Sequence, residues 1–341
     1  MELAELDIFL TVAREQSVTR AAGALGRAQS NITTRIQQLE AALGCTLFTR
    51  DNRRMQLTPA GERLLPYAQR LSALAQETRQ VMRDDTPTGP LRLGAMEAAA
   101  ASRLPGPLAR FHAQWPEVAL SLRGGTTGAL IAAVLGHELD CAVVAHPGEG
   151  PASMLSLDAL AQGLSGTWLW TEKLMLVLPP GHARVRGPDD LRVGSMAAFP
   201  RGCTYRACAE DWLGEAATHL RMVEPGSYHA MLACVLAGQA LSIMPQSVID
   251  LLPEAASARV QPLRPVHSYL VQRRGFDTAA SRALVEVLGV ATPGVATPGV
   301  ATPGASAPGT ATSAVARQDT TPSRRAPARR ANAIPSQETP K

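Results

Sequence analysis

The most specific chemistry in the chain lies in six side chains at the front of one stretch: Gln29, Ser30, Asn31, Thr33, Thr34 and Arg35. Five are hydrogen-bonding groups on short stems and one is a cation, the types that read base edges in a DNA major groove and hold phosphate. Behind them Ile32, Ile36, Leu39 and Leu43 recur at helical spacing and form one apolar stripe. A polar front on a buried back suits a helix that enters a groove, and its first amides add to the hold on phosphate.

Other elements must present that helix. Leu3, Leu6, Phe9, Leu10 and Ala13 predict a leading helix over about 2–15. A short helix follows near 19–25 with Thr19 as its N-cap, Gly26 breaks it, and the reading helix runs over about 28–43 to Gly44. This is a helix-turn-helix. In "CTLFTRDNRRMQLTPAGE", two short strands flank a turn carrying Arg50, Arg53 and Arg54, which reads as a wing on the DNA backbone. Thr58-Pro59 starts a long helix reaching to about residue 84. Its positions 64, 68, 71, 75, 78 and 82 alternate steps of four and three, so Leu64, Leu71, Ala75 and Met82 are expected in a pairing seam.

Charge supports a local DNA role. The tail from residue 290 holds six basic and two acidic residues, which account for the whole net charge of +4, so residues 1–289 are neutral overall. Within that neutral body, residues 17–57 carry six arginines against Glu40 and Asp51. No apolar run approaches the ~20 residues of a membrane span. Acids at Glu2, Glu5 and Asp7 stand where a secretory signal would be basic, so a cytoplasmic protein is expected. The five cysteines show neither CxxC pairs nor a nearby histidine series, so no metal site or disulfide framework is expected. Dinucleotide, phosphate-loop, zincin and serine-elbow motifs are all missing, and His137-Glu138 continues as Leu139-Asp140-Cys141. An enzyme is the least favoured reading, and no cofactor is expected.

After "TPTGP" at 86–90, read as a hinge, short apolar strands alternate with helices. Strands are predicted at 91–96, 118–124, 140–145, 173–179, 240–245 and 268–274, an α/β region with mainly parallel strands. From Val290 the chain becomes "VATPGVATPGVATPG" and then Ala-, Pro-, Ser-, Thr- and Arg-rich, which predicts a disordered tail over 290–341.

The first 60 or so residues resemble the N-terminal domain of the LysR-type transcriptional regulators. The resemblance rests on F-x-x-V-A, S-V-T-R-A-A, Q-S-N-I-T-x-R-I-x-x-L-E-x-x-L-G, L-F-x-R and L-T-P-A-G. More weakly, "AFPRGCTYRACAEDWL" and "GSYHAMLACVLAGQALSIMPQSV" resemble the subgroup containing regulators of putrescine utilisation. The resemblance implies a winged helix-turn-helix over 1–58, a linker and dimerisation helix over 59–85 and an effector module over 91–289. That module would have two periplasmic-binding-protein-like subdomains, about 91–171 with 266–289, and about 172–265, with a small molecule between them. It also implies a homodimer or homotetramer, an interrupted inverted repeat in double-stranded DNA, and contact with RNA polymerase.

In open α/β sheets, ligands bind beyond the carboxyl ends of strands. Those ends offer Glu97, Ser102 and Arg103 after the first strand, and Thr126 and Thr127 at a helix start after the second. Arg201, Thr204 and Tyr205 lie in "PRGCTY", and Ser227 and Tyr228 in "GSYH". Glu97 favours a cation, Arg201 and the amides of 124–127 an anion, and a zwitterion satisfies both. An alternative sensor is a thiol switch between Cys203 and Cys208, close in sequence to Arg201 and Arg206.

Overall fold

A computed structural model describes residues 1–51, 54–82, 86–148 and 163–289. The expectations for Arg53, for the last turn of the long helix at 83–85 and for the tail at 290–341 lie outside the described residues. Of Arg50 only the backbone is described.

The N-terminal part packs three helices: α1 (Leu3–Glu15), α2 (Val18–Leu25) and α3 (Gln29–Leu43). The cap of α2 is Ser17, whose hydroxyl accepts from Arg20 N, and not Thr19, which lies one residue inside the helix. Either hydroxyl suits a cap, and the earlier serine leaves Val18 to bury its side chain. Gly26 and Gly44 close α2 and α3 at φ +61° and +66°, a left-handed turn that glycine adopts without Cβ strain. Ile32, Ile36 and Leu39 are buried with Leu6, Phe9, Val12 and Ala21, whereas Leu43 at the helix end is 39% exposed. The antiparallel hairpin β1 (Phe48–Asp51) and β2 (Arg54–Leu57) is held to the helices by Glu40, which accepts from Leu47 N at 2.7 Å. Phe48 meets Phe9 with ring centroids 5.3 Å apart.

Helix α4 (Pro59–Val81) starts on a Thr58 cap and spans about 34 Å at 1.5 Å per residue. Its first apolar turns serve the N-terminal core, where Ala68 is fully buried and Leu64 is packed, so Leu64 is not free for pairing. The exposed apolar residues are Tyr67, Leu71, Leu74, Val81 and Met82, and Ala75 is half-buried. The open stripe follows 67, 71, 74, 78 and 81, and of the predicted seam Leu71, Thr78 and Met82 are exposed. Intramolecular packing has claimed the first two predicted positions, Leu64 and Ala68.

Beyond α4 lies one eight-stranded sheet in the order β4-β3-β5-β10-β6-β9-β7-β8. Its strands are β3 (Gly89–Ala95), β4 (Val118–Gly124), β5 (Cys141–His146), β6 (Leu164–Leu178), β7 (Ser195–Ala197), β8 (Arg221–Val223), β9 (Leu241–Pro245) and β10 (Arg259–Arg273). The sheet is mixed, which corrects the mainly parallel expectation. The end groups β4-β3-β5 and β9-β7-β8 are parallel within themselves, but β6 and β10 pair antiparallel along their length and join the two groups. β5 pairs with the 267–272 half of β10, and β9 with the 174–177 half of β6. The predicted hinge also narrows, because Gly89 and Pro90 already belong to β3.

Helices α5 (Glu97–Ser102), α6 (Pro105–Gln114), α7 (Thr127–Leu135), α8 (Thr204–Leu213), α9 (Tyr228–Leu236), α10 (Gln246–Ile249) and α11 (Ala279–Val287) cover the sheet. Successive β5 residues face opposite layers: Cys141 and Val143 pack with Phe111 and Leu284, Ala142 and Val144 with Leu130 and Val134. Burial on both faces explains why β5 reads as an unbroken apolar run.

Candidate nucleic-acid interface and ligand cavity

At the front of α3, Gln29, Ser30, Asn31 and Thr34 are exposed and Thr33 is half-buried. Thr33 Oγ1 donates to Gln29 O at 3.1 Å. Thr19 Oγ1 donates to Gln29 Oε1 at 3.3 Å, tying the start of α2 to the start of α3. Arg35 is placed differently from expectation: it pairs at 3.8 Å with Glu5 Oε1, a carboxylate buried on α1. A half-exposed guanidinium beside a buried carboxylate serves the α1–α3 joint first. Arg54 is exposed at the start of β2, and Met55 N donates to Gln16 O, anchoring the hairpin beside the helix pair. The exposed polar front and hairpin thus occupy one connected N-terminal unit.

The second site is a cavity of about 470 Å³ between the two strand groups. From the first group come Met96, Glu97 and Ala100 of the β3–α5 turn, and the 124–127 turn that starts α7. The second group contributes Phe199, Pro200, Cys203, Tyr205, Gly226 and Tyr228. Contacts bridge the groups around it: Gly128 N to Gly202 O at 3.1 Å, Thr204 Oγ1 to Thr127 Oγ1 at 3.0 Å, and Ser102 Oγ to Ser247 Oγ at 3.1 Å. Tyr228 stands edge-on to Phe199 with centroids 4.9 Å apart. Tyr228 N donates to Glu97 Oε1 at 3.4 Å. Burial raises the Glu97 carboxyl above its ordinary value, against smaller lowering effects from that amide and from the nearby His229.

Of the predicted ligand residues, the fold brings Glu97, Thr126, Thr127, Tyr205 and Tyr228 to the cavity wall. The others serve elsewhere. Arg201 is exposed and does not line the cavity, because Gly202, at φ +92°, turns the chain directly after it. Arg103 is occupied by the buried Glu172 at 2.6 Å. Ser102 and Thr204 form bridging bonds rather than wall, and Ser227 caps α9 through Ala230 N. Met96, Ala100, Phe199 and Pro200 were missed, since apolar residues carry no chemical signal until folding encloses them. A larger hollow of about 730 Å³ beside α10 contains none of the predicted residues.

The thiol alternative is not favoured. Burial pushes both the Cys203 and the Cys208 thiol up, away from the thiolate that a redox switch uses. Among the described residues no cluster of three or more His, Cys, Asp or Glu side chains is arranged to hold a metal. No described helix is long and apolar enough to cross a membrane.

Two family models match nearly the whole described chain. Residues 3–62 match the bacterial regulatory helix-turn-helix protein of the lysR family, and residues 84–291 match the LysR substrate binding domain. The HTH-type transcriptional regulator GltR of Bacillus subtilis is 37% identical over 251 residues, covering 73% of this chain and 81% of the relative. The uncharacterized HTH-type transcriptional regulator YusT of the same species is 34% identical over 293 residues, covering 84% and 95%. In fold the chain is similar to full-length OxyR of Pseudomonas aeruginosa, with a TM-score of 0.62 and 23% identity over 84% of this chain and 93% of that one. CbnR complexed with its target DNA gives a TM-score of 0.58 and 23% identity over 84% and 99%.

The chain therefore belongs to the LysR family of transcriptional regulators: it is a DNA-binding regulator with a substrate-binding domain, in a family of regulators rather than enzymes.

Proposed function

We propose that this regulator senses a small metabolite in the 470 Å³ cavity and passes its occupancy to a promoter through α3. The observation that carries this reading is the enclosure of one pocket by residues from both strand groups, since a ligand there changes their relative preference and thereby a two-state equilibrium. On this reading the strand groups act as the two periplasmic-binding-protein-like subdomains of the module. The open apolar stripe of α4 supports pairing of two copies into a homodimer, or a tetramer built from it, in the cytoplasm. Two α3 helices related by a twofold axis fit an interrupted inverted repeat, beside which RNA polymerase is contacted. The stretches 198–213 and 226–248 supply the likeness to regulators of putrescine utilisation and line much of the cavity's second wall.

Nuclease footprinting on the intergenic region beside the protein's own gene, with and without amines, amino acids and carboxylates, tests the reading. An interrupted palindrome should be protected, and one compound should shorten the footprint in the parent protein but not in an Ala100→Trp variant with a filled cavity. A ligand response that persists in Ala100→Trp would place the sensor elsewhere.

A further inference from the structure

The cavity wall has an unusual charge balance. Glu97 is the single ionisable carboxylate or cation among its described lining residues. One of its oxygens receives Tyr228 N, and the other has no hydrogen-bond partner among the described residues. The basic groups nearby do not line the cavity: Arg103 is bound to Glu172, Arg201 lies outside, and His229, close enough to act on Glu97, is not part of the wall. Four helix starts border the space, those of α5, α7, α8 and α9, and several of their amides have acceptors within the protein. Thr126 Oγ1 takes Ala129 N, Gly202 O takes Gly128 N, Glu97 takes Tyr228 N, and Ser227 Oγ takes Ala230 N. The one full charge among the described lining residues is the half-buried Glu97 carboxylate.

The rest of the wall suits a positive one. In a chain with 4% aromatic residues, two of the four tyrosines and Phe199 border this space. Aromatic faces attract cations through their quadrupole, more strongly where water is excluded. Met96, Ala100 and Pro200 add an apolar floor without a second charge.

We propose that the cavity selects an organic ammonium, one cationic nitrogen on an apolar body, with Glu97 as counter-ion and Phe199, Tyr205 and Tyr228 as walls. The proposal rests on the reading of this cavity as the effector site and deepens it to a ligand class. A carboxylate is rejected by Glu97, and a diammonium strands its second charge against apolar wall.

Titration calorimetry on the full-length protein tests this with probes of one skeleton: hexylammonium, hexanol, hexanoate and 1,6-hexanediammonium. Hexylammonium should bind at least about tenfold more tightly than the others, as a desolvated charge-assisted contact implies. Glu97→Gln keeps the size and an acceptor for Tyr228 N, and should bring hexylammonium to within about threefold of hexanol. Phe199→Leu should weaken hexylammonium more than hexanol. The proposal is overturned by hexanoate binding as well as hexylammonium, by an undiminished preference in Glu97→Gln, or by no binding of hexylammonium to the parent protein. Ala100→Trp separates the two readings. Hexanoate preference that this variant abolishes leaves the cavity as the site and removes only the ammonium class, whereas hexylammonium binding that survives it removes the cavity reading itself.

Discussion

His137 sits at φ +62°, in a conformation rare for a residue with a Cβ, where Arg92, Arg273 and Asp140 converge. Burial, followed by the charges of Arg273, Arg70 and Arg92, lowers its imidazole from 6.5 to about 4, with Asp140 opposing. Its Nδ1 is buried without a partner among the described residues. The folded protein therefore holds this group neutral where the unfolded chain takes up a proton. Stability from it is complete above 6.5 and lost as pH falls toward 4. His137→Asn keeps a left-handed-tolerant residue and should flatten the fall in urea midpoint between about pH 7.5 and pH 5; an unchanged slope would assign the acid sensitivity elsewhere. At the other end of the molecule, Gln29→Ala should relax preference at one base pair by ~1–3 kcal/mol. Competition binding with single-base operator variants reads this, and unchanged preference would remove Gln29 from base reading. Arg54→Ala should instead weaken all sequences alike and reduce the salt slope by about one. The residue types expected to face DNA announce themselves in the sequence through their chemistry and spacing. Arg35 does not, because its attachment to Glu5 depends on how α1 crosses α3.

At the scale of elements, the joint between wing and α4 is tight. A Cβ on Gly61 would be driven into the backbone carbonyl of Leu47, which itself accepts from Thr58 N at 2.9 Å. Gly61→Ala should therefore cost about 1–3 kcal/mol and lower the melting temperature of the intact protein; retention of the parent melting temperature would show that the hairpin gives way freely. Leu74 is 50% exposed in the middle of the open α4 stripe, so Leu74→Glu should shift the protein toward monomer in sedimentation. The helices of the N-terminal unit are legible because amphipathic spacing, glycine stops and the Thr58-Pro59 start agree with one another. The two longest strands are legible only in part. β10 contains Pro262 and Pro265 and shifts register between Pro262 and Arg264, so its first half lacks any strand pattern until the bulge is seen. β7 and β8 are three residues each, too short to declare a period. Leu64 and Ala68 of α4 are taken into the N-terminal core because spacing alone does not say which side of a helix its own neighbours will cover.

In the whole molecule, α4 is fastened by polar contacts to the elements on either side of it. Ser72 Oγ donates to Asp7 Oδ1 at 2.7 Å on the DNA-reading side, while Glu77 Oε2 pairs with Arg273 at 3.0 Å and Gln80 Nε2 donates to Pro90 O on the sheet side. Arg273 ends β10, and its guanidinium also donates to Val134 O and Leu139 O behind α7, the helix that starts at the cavity. Glu77→Gln should keep ligand affinity within about threefold while diminishing the ligand's effect on the footprint, because it loosens the joint and not the pocket. Equal loss of affinity would show that Glu77 supports the sheet rather than its connection. That joint has a further consequence for descent and engineering. Few side chains cross it, so a reading head and a sensing sheet drawn from different members of the family can be recombined as interchangeable parts, provided the graft carries an acid at 77, an amide at 80 and an arginine at 273.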